Sequence, residues 1–168
     1  MDQHALDALI DGAQHAADVA GAVIRPFFRA GLDATHKEDR SPVTMADRAA
    51  EQAMRALLTE RFPEHGVLGE EFGHDRPDAA FTWVLDPIDG TRAFITGRPL
   101  FGTLIGLLHN GVPILGIIDQ PITGERWIGA AGRRTQFRGP FGGPMRDGAG
   151  CRPCANLGEA ELSVTSPQ

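Results

Sequence analysis

No apolar run in this chain approaches the ~18 residues needed to cross a bilayer, so a membrane-spanning helix is not expected. The start, Met1-Asp2-Gln3-His4, has neither the basic opening nor the apolar centre of a secretion signal. Cysteine is scarce. Cys151 and Cys154 sit almost side by side, which argues against a disulfide framework. These absences make a cytoplasmic protein the expectation. A basic surface is also missing. Net charge is −6 with mixed signs, whereas binding a phosphate backbone needs clustered Lys and Arg. Neither nucleic acid nor membrane is therefore an expected partner. A small phosphorylated substrate stays open, because bound metal ions reverse the local sign of an acidic site. There is no Gly-x-Ser-x-Gly nucleophile motif, no His-x₃-His spacing, no internal repeat and no low-complexity tract.

What is present supports a folded core. The chain has 168 residues and 42% hydrophobic content, enough for one domain or one and a fraction. Leu6, Leu9, Ile10, Ala13, Ala17, Ala20, Ile24 and Phe27 recur at helical spacing, predicting a helix over 3–30 with Pro26 as stop or kink. Ser41-Pro42-Val43-Thr44 reads as a loop into a second helix over 44–62. Thr44 stands as N-cap, and Ala49, Ala53, Ala56 and Leu57 form the inward stripe. Short strands follow at 65–68 and 81–85. A hairpin then joins 103–108 to 112–118 through Asn110-Gly111, and two further strands lie at 126–130 and 135–138. Residues 139–153 are rich in Gly and Pro and read as a loop or connector before a last strand at 162–165. Helices first and an antiparallel-looking sheet after them make an α+β arrangement. The expected division is 1–138 as a metal- and phosphate-binding lobe, and 139–168 as connector and first strand of an incomplete second lobe.

The chemistry concentrates in Trp83-Val84-Leu85-Asp86-Pro87-Ile88-Asp89-Gly90-Thr91. An apolar strand delivers Asp86 and Asp89 to its C-terminal edge, and Gly90-Thr91 follows with free backbone N–H groups. Carboxylates that gather hard cations beside amides that hold an anion suit metal-assisted phosphate chemistry. The plainer reading is an Asp-Pro turn with Asp89 capping a helix from Gly90. Gly69-Glu70-Glu71 offers a metal ligand and a helper, or simply an exposed acidic loop. Asp47 either completes the capping pattern or reaches the same site. Cys151-Arg152-Pro153-Cys154 has zinc-pair spacing but no second pair. Phe94, Phe101 and Trp127 read as core, and the histidines as solvated or structural.

Three blocks, Ser41-Pro42-Val43-Thr44-Met45-Ala46-Asp47, Gly69-Glu70-Glu71 and the Trp83–Thr91 stretch, resemble in order the signature blocks of the inositol monophosphatase family. Phe94-Ile95-Thr96-Gly97-Arg98-Pro99-Leu100-Phe101-Gly102-Thr103 and Leu115-Gly116-Ile117-Ile118-Asp119-Gln120-Pro121 are similar to the branch that contains histidinol-phosphatases. The resemblance implies the first lobe of a layered αβαβα sugar-phosphatase fold and Mg²⁺-dependent hydrolysis of a phosphate monoester with two or three ions. Glu70, Asp86 and the Ile88 carbonyl would hold one ion, and Asp86 with Asp89 a second. Gly90 and Thr91 amides would hold phosphate. Thr91 with Asp47, and Glu70 through its metal, would activate the attacking water. The substrate implied is L-histidinol phosphate, in histidine biosynthesis. An inositol 1-phosphate or related sugar or nucleotide phosphate is the alternative. Family members run roughly a hundred residues longer, so the resemblance also implies a chain truncated before a further metal-binding Asp. An inactive fragment serving only as a folding or dimerising module is the other alternative, and a homodimer is the expected assembly.

Overall fold

The structure, a computed structural model, describes residues 2–30, 42–150 and 152–161, with only the backbone of 42–44. Helix α1 spans Gln3–Ile24, and Asp2 caps it by accepting the Ala5 amide at 2.7 Å. Its buried stripe contains Leu6, Leu9, Ile10, Ala13, Ala17, Ala20 and Ile24, as the spacing predicts. The helix stops earlier than expected, in a 3₁₀ turn at Arg25–Phe27. Pro26 has no N–H to continue the ladder.

Helix α2, Pro42–Arg61, starts at the proline, so Thr44 lies inside the first turn and not at the cap. Its inward stripe also differs from the expected one. Ala46, Ala50, Met54 and Leu58 are fully buried, the polar Asp47, Glu51 and Arg55 are buried beside them, and Ala56 is exposed. The three charged residues take inward positions that a purely apolar stripe would not reveal. Small residues on facing surfaces, Ala13, Ala16, Ala17 and Ala20 on α1 with Ala46 and Ala50 on α2, let the helices approach closely.

Both helices cover one face of an eight-stranded sheet. Its strands are β1 (Gly66–Gly69), β2 (Gly73–Asp75), β3 (Phe81–Asp89), β4 (Gly102–His109), β5 (Val112–Gln120), β6 (Glu125–Ala130), β7 (Gln136–Arg138) and β8 (Met145–Asp147). The spatial order is β2-β1-β3-β4-β5-β6-β7-β8. All pairings are antiparallel except β1 with β3, so the sheet is mixed and not purely antiparallel. That parallel pair sets Gly69 opposite Leu85 and brings the next residues of both strands to the same edge. Asn110 and Gly111 turn the β4–β5 hairpin with φ of 49° and 79°. Strand β8 and a 3₁₀ turn at Pro140–Gly142 lie in the stretch read as a loop. The strand expected at 162–165 lies outside the described residues.

Along β4 and β5 the burial alternates. Thr103, Ile105, Leu107, Leu115, Ile117 and Asp119 face the helices, and Leu104, Gly106, Gly116 and Ile118 face away. Arg126 on β6 ties the two layers. It donates from Nε to Asp119 at 2.6 Å and from Nη2 to Asp18 of α1 at 2.8 Å. Its guanidinium stays charged because both acids hold the proton there despite burial. Phe94 and Phe101 are core, in edge contact at 5.0 Å, while Trp127 sits half-buried on the outer face against Phe137. His65 is structural. Its Nδ1 accepts the Trp83 indole N–H at 3.1 Å, and its ring stacks between Phe62 and Phe81.

Candidate active site

Three chain segments meet at one sheet edge. Strand β3 brings Asp86 and Asp89, the adjacent parallel β1 runs into Glu70 and Glu71, and the first half of α2 brings Asp47. The ladder between β3 and β4 breaks register between Asp86 and Asp89. This irregularity spans Pro87, which cannot donate to a ladder. Thr103 on β4, fully buried, closes the gap by donating its hydroxyl to the Pro87 carbonyl at 2.8 Å.

Gly90 follows at φ 98°, a left-handed conformation that lets the chain turn into helix α3 (Thr91–Ile95). A Cβ there would lie 3.1 Å from the Leu100 carbonyl and from Phe101 Cα, so space as well as φ requires glycine. The Thr91 hydroxyl points back to the Ile88 carbonyl, 3.4 Å away. As first-turn groups, the amides at this end of α3 have no partner within the helix. Arg92 and Arg98 line the open pocket beside Gly90 and Thr91.

The acids feel one another. Asp47, 8% exposed, has its pKa pushed up to about 7, first by burial and then by the charges of Glu71, Asp86, Glu70 and Glu51. Asp86 is raised to about 6, again first by burial, then by Glu70 and Asp89, with a backbone hydrogen bond at Ile88 working the other way. One Oδ1 of Asp47 and one of Asp86 are buried without a hydrogen-bond partner. Orphaned carboxylate oxygens inside a cluster of like charge call for cations. The donor set is all oxygen, which suits a hard ion such as Mg²⁺. Among the described residues no three His, Cys, Asp or Glu side chains close into a finished coordination shell. The donor set thus fits the ion chemically. Cys154 is exposed, its thiol donating to the Asn156 carbonyl at 3.2 Å.

Asp47, Glu70, Asp86, Ile88, Asp89, Gly90 and Thr91 all came from sequence reasoning, and they converge on this edge. Missed were Glu51, Arg48, Arg55 and Thr103. Glu51 has no solvent exposure and accepts the amides of Glu71 at 2.7 Å and Phe72 at 3.2 Å. Arg48 holds Glu71 at 3.2 Å and lies over the Phe72 ring. The available signal was spacing. Asp47, Glu51 and Arg55 fall at i, i+4 and i+8, one face of a helix.

An acidic edge with two orphaned carboxylate oxygens thus lies beside a glycine turn, on a mixed sheet backed by two helices. Residues 5–164 match the inositol monophosphatase family, and the chain belongs to it. It is 50% identical over 153 residues to the bifunctional phosphatase IMPL2, chloroplastic, of Arabidopsis thaliana, covering 90% of this chain and 42% of that protein. With the histidinol-phosphatase of Mycobacterium tuberculosis it shares 44% identity over 118 residues, covering 70% of this chain and 45% of the other. The solved structure of an inositol monophosphatase from Zymomonas mobilis superposes with a TM-score of 0.72 at 56% identity, over 83% of this chain and 53% of that one. The chain therefore spans about half the length of the relatives it matches. Among the described residues, no helix is long and apolar enough to cross a membrane.

Proposed function

We propose that this chain carries the metal- and phosphate-binding edge of a Mg²⁺-dependent phosphate monoester hydrolase of histidinol-phosphatase type. The reaction is L-histidinol phosphate plus water giving L-histidinol and phosphate. One observation carries the reading: Asp47 and Asp86 each bury an unpartnered carboxylate oxygen among further acids, next to the Gly90–Thr91 turn. Glu70, Asp86, Asp89 and the Ile88 carbonyl would hold the ions. Bound Mg²⁺ lowers the pKa of water and neutralises charge on the phosphate and the leaving oxygen. The protein's own share is placement. The amides of Gly90 and Thr91 seat the phosphate. The Thr91 hydroxyl and Asp47 orient the attacking water and take its proton. The Thr103 bond to Pro87 keeps Asp86 and Asp89 on the same edge. Identity to histidinol-phosphatase supports this substrate. The 56% identity to the Zymomonas mobilis inositol monophosphatase favours inositol 1-phosphate as the second reading.

Phosphate release by the purified chain from L-histidinol phosphate and from inositol 1-phosphate, with Mg²⁺ and with EDTA, tests both. Mg²⁺-dependent release, faster with L-histidinol phosphate, is expected. Faster release from inositol phosphate selects the second reading. No Mg²⁺-dependent release from either overturns the function.

A further inference from the structure

The Glu70–Glu71 loop is gripped from beneath by a carboxylate the reaction itself does not use. Glu51 is wholly buried in α2, one turn beyond Asp47. Its Oε2 accepts the Glu71 amide at 2.7 Å, and its Oε1 accepts the Phe72 amide at 3.2 Å and the Arg55 Nε–H at 2.7 Å. Both oxygens are thus committed to donors, so Glu51 is no direct ligand for an ion. The contact is close on the other side too. A Cβ at Gly69 would sit 2.0 Å from Glu51 Oε1, so residue 69 must be glycine for the carboxylate to reach the loop.

Arg55 extends the grip. It donates to Asp75 at 2.8 Å and to the Gly73 carbonyl, and its guanidinium lies 6.0 Å from the Phe72 ring. The β1–β2 turn is therefore held at Glu71 and Phe72 by Glu51, and at Gly73 and Asp75 by Arg55. Glu70 lies in the span between the fixed Gly69 and the fixed Glu71 amide. Amide-to-carboxylate bonds of this kind are charge-assisted and geometrically demanding. Such outer contacts to a ligand's own loop commonly govern metal affinity.

We propose that Glu51 is a positioning residue: by accepting the Glu71 and Phe72 amides from below, it holds Glu70 where a divalent cation shared with Asp86 can be bound. The inference rests on the metal reading above. Glu51 acts through the backbone, so its neutral isostere loses the effect. In Glu51→Gln the side-chain amide places N–H groups against N–H groups on at least one side.

The test uses the 168-residue chain with Mn²⁺ as probe. Mn²⁺ affinity is followed by electron paramagnetic resonance, thermal unfolding without metal is recorded alongside, and amide hydrogen exchange is read at Glu71 and Phe72. In the wild type these two amides are expected to be protected and Mn²⁺ to bind. In Glu51→Gln, protection is lost at one or both of these amides and the Mn²⁺ dissociation constant rises ~10- to 100-fold. Gly69→Ala, which drives the carboxylate away from the loop side, is expected to do the same and serves where Glu51→Gln does not fold. A purely structural Glu51 would lower the melting temperature while Mn²⁺ affinity stays within about twofold of wild type. That result, or free exchange of the two amides in the wild type, overturns the inference alone. A wild-type chain that binds no Mn²⁺ overturns the metal reading and this inference together.

Discussion

At the scale of single residues, Asp47 and Asp86 make the metal-free fold sensitive to pH in an unusual sense. Both carboxyls are raised above the ordinary 3.8, to about 7 and about 6, chiefly by burial. Below pH 4 they are protonated in the folded and unfolded chain alike, and their contribution to stability is fully present. As pH climbs through 6 and 7 the folded state holds protons that the unfolded chain has already released, so stability falls. Without divalent ions the melting temperature is expected to be lower at pH 8 than at pH 5, by roughly 5 °C. Added Mg²⁺ should recover the loss at pH 8 by binding only the folded form. Calorimetry at both pH values, with and without Mg²⁺, decides it, and a melting temperature that rises from pH 5 to pH 8 without metal refutes it. Asp86→Asn follows from the same physics. Removing one buried charge should raise the metal-free melting temperature at pH 8, abolish the Mg²⁺-dependent rise, and reduce phosphate release at least ~100-fold. Stability and function would part at this residue, and a variant that keeps its response to Mg²⁺ would contradict the assignment.

At the scale of elements, the site depends on how β3 ends. The break between Asp86 and Asp89 leaves the Pro87 carbonyl inside the protein, where the buried Thr103 hydroxyl donates to it. Thr103→Val keeps the shape and removes the donor, leaving a buried acceptor unmet at a cost of ~1–3 kcal/mol. The expected result is that destabilisation in urea unfolding, with Mg²⁺ response weakened because Asp86 and Asp89 lose their support. Unchanged stability would mean another group serves the carbonyl. The elements also show what a sequence can reveal. Helix α1 was legible from Leu6 to Ile24, because its face is apolar and its period uninterrupted. The β4–β5 hairpin was legible because Asn110-Gly111 encodes its turn. The acidic motif was legible because Asp86 and Asp89 lie within a few residues of each other. The inward face of α2 was not, since Asp47, Glu51 and Arg55 break the apolar pattern at the positions that matter most. Nor was the parallel β1–β3 pairing, which joins Gly69 to Leu85 across an intervening strand. Long-range pairing leaves no local periodicity, so Glu51 beneath Gly69 was equally hidden.

At the scale of the whole molecule, the two faces of the sheet are unequal. One is sealed by α1 and α2. The other carries an ordered relief across β4, β5 and β6. Leu104, Ile118 and Trp127 are cross-strand neighbours and form a ridge, and Gly106, Gly116 and Gly129 lie next to them in register as a trough. Ile118 is 53% exposed, and a Cβ on Gly116 or Gly129 would meet nothing within 4 Å. An apolar ridge beside an empty trough is a surface that water leaves readily when something of complementary shape arrives. Among the described residues nothing fills it, and a second copy of the chain presents the same relief to its partner. We propose that the isolated chain associates with a second copy of itself through this face. Burying Ile118 at such a contact is worth ~1.5–3 kcal/mol per copy, so Ile118→Glu should weaken association at least ~10-fold. Because this side chain points away from the helices, the substitution should leave the melting temperature of the monomer nearly unchanged. Sedimentation velocity over a hundredfold range of concentration separates the outcomes. A wild-type chain that stays monomeric throughout, or an Ile118→Glu variant that associates as strongly as wild type, places the contact elsewhere.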